Sequence, residues 1–344
     1  MFSLSELKIG RFRFKIPLLI PLVFSISLML TILVIRSDNE CALEHEKTKE
    51  LHVISEQIEN DFCKTAGKAE SRADMIATIP SIGKAFKDED RNGLIHLLLP
   101  MFREQKKNFG VTGVQFNKIP AATFLRLHKP ESYGDDLSDY RETVVSVHKF
   151  KSKQKGLELG RSGLAIRGVV PVFYEKEHIG SLEFLFSFSS ILEKIKKTTD
   201  ADISIFINKK KYDEICTDVS NEKEKKEKKL TDEQLEVINT IGKFRYLDST
   251  NKEKIMSLMT STYLSKSTEF YTVFPIVDGK EEGVALEPLF DFSGAKIGVI
   301  VISKNFDKIN AQYQDKFAKN IIIKLIQLLL VLMISIFVYN AWLM

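Results

Sequence analysis

Catalytic signatures are what this 344-residue chain lacks most plainly. It has no HExxH, no Walker loop and no dinucleotide-binding glycine pattern. It also has no Ser or Cys nucleophile with a matching His partner. These absences exclude the common routes to metal-assisted hydrolysis, nucleotide chemistry and covalent catalysis, so an enzyme is not expected. Cysteine is scarce: Cys41, Cys63 and Cys216 are an odd number, without CxxC spacing. Cys41 and Cys63 fall on one predicted helix, about 33 Å apart at 1.5 Å rise per residue, too far to bridge each other. A free thiol at Cys41 and a cross-chain disulfide there in a dimer are both open. The six histidines form no ligand-spaced pair, and neither a metal nor a cofactor is expected. A dominant charge is missing too. The net +4 is nearly balanced along the chain and implies no nucleic-acid partner.

What the chain does have is two long apolar runs, residues 16–35 and 321–342, one near each end. Each is close to the roughly 20 residues that carry a helix across a bilayer. Lys8, Arg11, Arg13 and Lys15 precede the first run, and Asp38, Glu40 and Glu44 follow it. The positive-inside rule then keeps residues 1–15 in the cytoplasm and exports the middle of the chain. The first run is too long for a signal-peptide core and has no small-x-small cleavage site after it. Lys324 in the second run is placed to snorkel to the outer interface. The expected layout is a two-pass protein of the cell (inner) membrane with an extracytoplasmic, periplasmic centre.

Between the runs, Leu51, Ile54, Ile58, Phe62, Thr65, Ala69 and Ile76 recur at three- and four-residue steps, which predicts one long stalk helix over 36–78. Its apolar stripe packs on its own domain, serves as a dimer seam, or does both at different heights. A first unit follows at 79–200, with strands predicted at 113–117, 123–128, 165–174 and 178–188. A helix is predicted at 137–148, with Ser138 as its N-cap. A second unit, 201–305, has predicted strands at 203–207, 270–277, 283–292 and 296–303. A Lys/Glu run at 221–229 reads as solvated chain. Thr231 and Gln234 form a capping box that opens a short helix. A connecting helix at 306–320 leads to the second run. The two units rhyme: Pro171-Val172-Phe173-Tyr174 and Gly180 in one correspond to Pro288-Leu289-Phe290-Asp291 and Gly298 in the other, a tandem repeat of about 118 residues.

The densest polar cluster lies in the first unit. Alternation along 124–128 puts Arg126 and His128 on one strand face. Asp135 and Asp136 precede the predicted helix, where carboxylates are favoured, and Arg141 lies within it. Arg161 and Arg167 flank an apolar pair, and an arginine fork on a strand suits bidentate capture of a carboxylate or phosphate. A salt-bridge network of Asp135 and Asp136 with Arg126 or Arg141 would explain part of the cluster without any ligand.

The runs FLRLHKPESYGDDLSDYR and GLELGRSGLAIRGVVPVFYEKEHIGSLEF resemble the double-Cache sensor region of bacterial chemoreceptors, sensor kinases and diguanylate cyclases. The specific match covers about residues 113–188. The resemblance implies an α+β fold: two stacked PAS-like (Cache) modules on a long N-terminal helix, flanked by two transmembrane helices. It also implies a small-molecule pocket in the membrane-distal module, here the first unit. The ligand-binding residues expected on this basis are Arg126, His128, Asp136, Arg141, Arg161 and Arg167. The expected ligand is an organic anion or an amino-acid-like molecule, and the receptor is expected to be a homodimer that signals through its second membrane helix. Family members continue into a cytoplasmic output domain, whereas this sequence stops at Met344. It is expected either to lack that domain or to pass its signal to a separate cytoplasmic protein. A ligand-independent membrane partner of another receptor is the alternative reading.

Overall fold

The computed structural model describes residues 16–216, 239–277 and 279–343. The basic N-terminal cluster, the Lys/Glu run and the capping box at Thr231 lie outside them. Residues 50–304 form one compact unit, and the two terminal segments form another. In the terminal unit, residues 16–35 are helical as the start of α1 (Ile16–Ala77), and the second apolar run lies inside α9 (Asp307–Leu343). Among the described residues, one helix is long and apolar enough to cross a membrane, Asp307–Phe337.

From Leu51 onward, α1 buries Leu51, Ile54, Ile58, Phe62, Ala66, Ala69, Ala73 and Ala77, a 3–4 stripe that follows the predicted one. Thr65 and Ile76 are only half-buried, and alanines take the seam beyond Phe62. The cause is close approach: a side chain at Gly168 would fall inside the α1 backbone at Ala69 and Glu70, so small residues are needed on the helix.

The first module follows α1 with α2 (Pro80–Lys87) and α3 (Arg91–Phe109), then β1 (Val111–Lys118) and β2 (Ala122–Arg126). Next come α4 (Glu142–Phe150), β3 (Gln154–Gly160), β4 (Gly163–Tyr174) and β5 (Glu177–Phe186). Asp90 caps α3 by accepting from Gly93 N, and Gly110 ends it in the left-handed region. The sheet is antiparallel in the order β2-β1-β5-β4-β3. The predicted β4–β5 hairpin is present, its turn made by Glu175 and Lys176, both at positive φ. The helix predicted at 137–148 instead begins at Glu142. Ser138 is not its N-cap. The Ser138 amide and hydroxyl are held in a turn by Asp136 Oδ1, at 2.9 and 2.7 Å.

After α5 (Ser189–Thr199), the second module runs β6 (Asp202–Asn208), α6 (Lys209–Ile215), β7 (Thr240–Ile241) and β8 (Phe244–Ser249). It continues with α7 (Lys252–Leu258), α8 (Ser261–Lys266), β9 (Tyr271–Val273), β10 (Ile276–Val277), β11 (Lys280–Phe290) and β12 (Lys296–Asn305). The strand predicted at 270–277 is two short pieces, each paired with β11. The sheet order is β10-β11-β12-β6-β8-β7, with β9 also on β11. Its β8-β6-β12-β11 run repeats the β2-β1-β5-β4 run of the first module, as the sequence repeat predicts. The repeat holds at atomic level: Gly180 lies against the carbonyl of Asn117 and Gly298 against that of Phe206, where no β-carbon fits.

Candidate ligand site

In the first module one face of the sheet is apolar and turned toward the helices. Val114, Phe116, Val170, Leu182 and Phe184 are all essentially inaccessible, and Phe86 meets Phe116 edge-to-face with ring centroids 5.1 Å apart. The opposite face is buried as well and largely polar, with Val169 packed on Leu137, Val144 and Val147 beside the polar groups. Alternation along β1, β4 and β5 puts Gln115, Asn117, Arg167, Ser181 and Glu183 there, and β3 adds Glu158. Above them lie α4 and the chain leading into it.

The deepest groups form a four-charge cluster. Arg141 grips Glu183 with both terminal nitrogens (3.2 and 2.6 Å) and donates from Nε to Glu158 (2.7 Å). Arg167 Nη1 donates to Glu183 (3.1 Å), and its Nε lies 3.6 Å from Glu158. A β-carbon at Gly160 would lie 2.6 Å from Arg167 Nη2, so a glycine there admits the guanidinium. Two arginines face two glutamates, and the cluster is neutral. Glu158 also accepts from the Thr143 amide (2.8 Å) and hydroxyl (2.6 Å). A carboxylate from β3 therefore caps α4, which explains why the helix starts after Arg141 and not at Ser138. Burial alone would raise the Glu183 carboxyl, but Arg141 and Arg167 overturn that and hold it at about 2. Burial works against the Arg141 charge as well, and Glu183 with Glu158 more than offsets it, so its pKa is raised.

Nearer the surface, Arg126 is held by a bidentate pair to Asp135 (2.8 and 2.9 Å), by Gln115 Oε1 (2.9 Å) and by Ser132. Burial pushes the Asp135 carboxyl up, and Arg126 outweighs it and brings it down to about 2. The Tyr140 hydroxyl donates to Asp135 (3.2 Å), and burial with that charge raises the phenol to about 12. Arg161 lies 3.5 Å from Asp135 and over the Tyr140 ring, with 40% of its side chain exposed. From Gln115, hydrogen bonds continue across the sheet through Asn117 (2.7 Å) to Ser181 (3.3 Å) and His148 (2.9 Å). His148 Nδ1 is 2.7 Å from the Pro120 carbonyl, which only accepts, so Nδ1 carries the proton. Nε2 then accepts from Ser181, which in turn accepts from Asn117, and this order requires neutral His148.

The structure thus gathers Arg126, His128, Arg141 and Arg167 around Glu183 and Asp135, with Arg161 at the rim. His128 lies just past β2 with its Nδ1 over Gly113, exposed along part of its ring. Burial, then the Arg126 charge, lowers its pKa to about 4. Asp136 is not part of the cluster: it is exposed and bonded to Ser138. Of the expected partners, Asp135 pairs with Arg126, while Arg141 goes to Glu158 and Glu183. Glu158 and Glu183 were missed by sequence reasoning. The repeat itself held the signal. The strand positions of Arg167, Ser181 and Glu183 correspond to Val284, Val299 and Val301 in the second module, and Asn117 corresponds to Phe206. There those residues form an apolar core with Leu286.

Stability is expected to fall in two acid steps. Below about 6.5 the unfolded chain takes up protons at His128, whereas the folded chain does not until about 4, so stability is lost through that window. Below about 4.5 the unfolded carboxyl at Glu183 protonates while the folded one resists to about 2, and a second loss begins. Urea midpoints measured from pH 7.5 to 2.5 check this, and His128→Gln should shrink the first step, the rest coming from His148 and His178, which burial also lowers.

A sheet in this order, repeated in tandem behind one long helix, defines a two-module α+β domain. The double sensory domain of two-component sensor kinases (dCache_3) matches residues 43–309, and the chain belongs to that family. No curated protein matches it. Among solved structures, it is similar to the sensory domain of the Campylobacter jejuni chemoreceptor Tlp3 (13% identity, 79% of this chain, 96% of that one, TM-score 0.44). The same domain with isoleucine bound aligns at 14% identity, over 79% of this chain and 95% of that one, TM-score 0.44. A domain of a sensory box/GGDEF family protein from Vibrio parahaemolyticus aligns at 11% identity, over 78% and 97%, TM-score 0.44.

Proposed function

We propose that this chain is the extracytoplasmic ligand-sensing part of a membrane receptor, anchored by residues 16–35 and 321–342. Its first module takes a small ligand over the polar sheet face, and the second module is a structural relay. The observation that carries this reading is the asymmetry of the repeat. At the positions of Asn117, Arg167, Ser181 and Glu183 the second module packs Phe206, Val284, Val299 and Val301, and its own charges, Asp202 and Glu282 on Lys254, sit further along the face. Burying charges costs stability that packed apolar residues do not. Arg167 Nε supports the reading, being a buried donor without a hydrogen-bond partner. The deep cluster is neutral, while at the rim Arg126 and Arg161 face only Asp135. That excess of one positive charge draws a carboxylate to Arg161, and Asp135 beside it matches the ammonium of an amino-acid-like ligand. Binding shifts the equilibrium between two arrangements of the terminal helices in a homodimer, by no more than the ligand's differential affinity for them. The shift reaches a cytoplasmic signalling protein or output domain through the second span.

One observation favours the alternative, a ligand-independent partner of another receptor: Arg126, Arg141 and Arg167 are all already paired within the chain. Thermal unfolding of the full chain in nanodiscs against amino acids and dicarboxylates separates the two. A ligand at 100 times its Kd adds about 2.7 kcal/mol. The expected result is a hit among the amino acids, weakened about tenfold by Arg161→Ala, with the ligand-free midpoint unchanged because Arg161 is half exposed. No shift with any compound, from folded protein, supports the partner reading.

A further inference from the structure

The repeat is broken a second time, on the face that the strands turn toward α1. Val170 and Glu287 each stand immediately before the aligned prolines Pro171 and Pro288. Val170 is fully buried, as the fold asks of this position. Glu287 puts a half-buried carboxylate in its place. Its one hydrogen bond comes from Ser55 Oγ on α1, at 3.2 Å; His52, one turn earlier on the helix, exerts the weakest of the charges on it, and no Lys or Arg among the described residues forms an ion pair with it. Glu59, one helical turn beyond Ser55, brings a second carboxylate. Burial, and then the charge of Glu59, hold the Glu287 carboxyl above its ordinary range.

Both carboxylates line a cavity of about 340 Å³ between the two modules. A third carboxylate on the wall, Asp291, is taken up by Ser293, the Ala295 amide and Lys211, and most of the remaining lining is apolar: Phe62 from α1, Leu157 and Ile166 from the first module, Leu289 and Ile300 from the second. The volume suits a small organic molecule. Glu59 and Glu287, with Asp291 already engaged elsewhere, do not make a metal cage, since a divalent metal takes six or more oxygen ligands. No group of three His, Cys, Asp or Glu among the described residues could hold a metal. An organic cation satisfies both parts of the chamber at once.

We propose that this inter-module cavity is a second ligand site, which takes a primary ammonium with a short apolar body. The ammonium lies between Glu59 and Glu287, and the carbon chain packs on Phe62, Ile166 and Ile300. Its occupant touches α1 and both modules, so binding there reports on how the modules sit against each other, independently of the polar face described above. That contact is already drawn together by a hydrogen bond from Phe292 N to the Leu157 carbonyl, at 2.9 Å.

Cys63 lines the cavity and is exposed, Cys216 is buried, and Cys41 is removed by Cys41→Ser, so one thiol reports on the site. The test is the rate of Cys63 alkylation by N-ethylmaleimide in the full chain in nanodiscs, with n-butylammonium or with n-butanol as its neutral counterpart. Butylammonium is expected to slow alkylation and butanol is not. Glu287→Gln, and separately Glu59→Gln on the exposed helix face, should weaken protection about tenfold. Arg161→Ala should leave protection intact, whatever the fate of the first-module site. The proposal is overturned if butylammonium gives no protection, if butanol protects equally, if neither glutamine variant weakens it, or if Arg161→Ala abolishes it.

Discussion

Replacing Glu183 with valine is expected to destabilise the protein by about 3–5 kcal/mol, the cost of stripping one partner from a buried ion pair. Glu183 is fully inaccessible and receives three hydrogen bonds from Arg141 and Arg167, all of which the substitution deletes. It leaves two buried guanidinium groups facing Glu158 alone. The double variant Glu183→Val/Arg167→Val restores neutrality, with Arg141 still on Glu158, and reproduces the residues that the second module uses at these positions, Val301 and Val284. It should therefore be more stable than Glu183→Val alone, by about 1–3 kcal/mol of coupling. Some loss against the parent persists, because valine leaves volume unfilled where Arg167 lay. Thermal and urea unfolding of the four proteins completes the cycle. Strictly additive losses would show that the four charges do not act as a unit. Ligand binding should vanish in the double variant although it folds, which separates the role of these charges in recognition from their role in stability.

The second large effect is expected at Gly168, where β4 crosses α1. A β-carbon there would overlap the backbone of Ala69 and Glu70, and main chain cannot swing aside as a side chain can. Gly168→Ala should cost about 1–3 kcal/mol or more, by prising the sheet from the helix. Gly67, on α1 itself, has no atom within 4 Å of a would-be β-carbon. Gly67→Ala should stabilise by about 1 kcal/mol through helix propensity alone. Opposite signs from the same chemical change, read as shifts in Tm, locate the helix–sheet contact. A neutral result at Gly168 would mean that the helix is free to slide away.

Much of this architecture was legible from residue order because it rests on short-range periodicity. The α1 stripe, the β4–β5 hairpin and the tandem repeat follow from spacings of two, three and four residues, and from prolines and glycines at matching places. The same reading located the polar cluster and placed Arg167 and the Arg126 strand on a common face. It failed where a partner came from elsewhere in the chain. Ser138 was an obvious cap by local rules, yet Glu158, from a strand that begins beyond α4, supplies it. Asp136 looked equivalent to Asp135 and turned outward, because a single residue step in the turn decides which carboxylate meets Arg126. The sequence by itself determined the α1 stripe, the β4–β5 hairpin and the doubling of the module. Only the tertiary structure decided which charges neutralise which, because Arg141 meets Glu183 across 42 residues through strand register, and Coulomb attraction acts on distance in space, not along the chain.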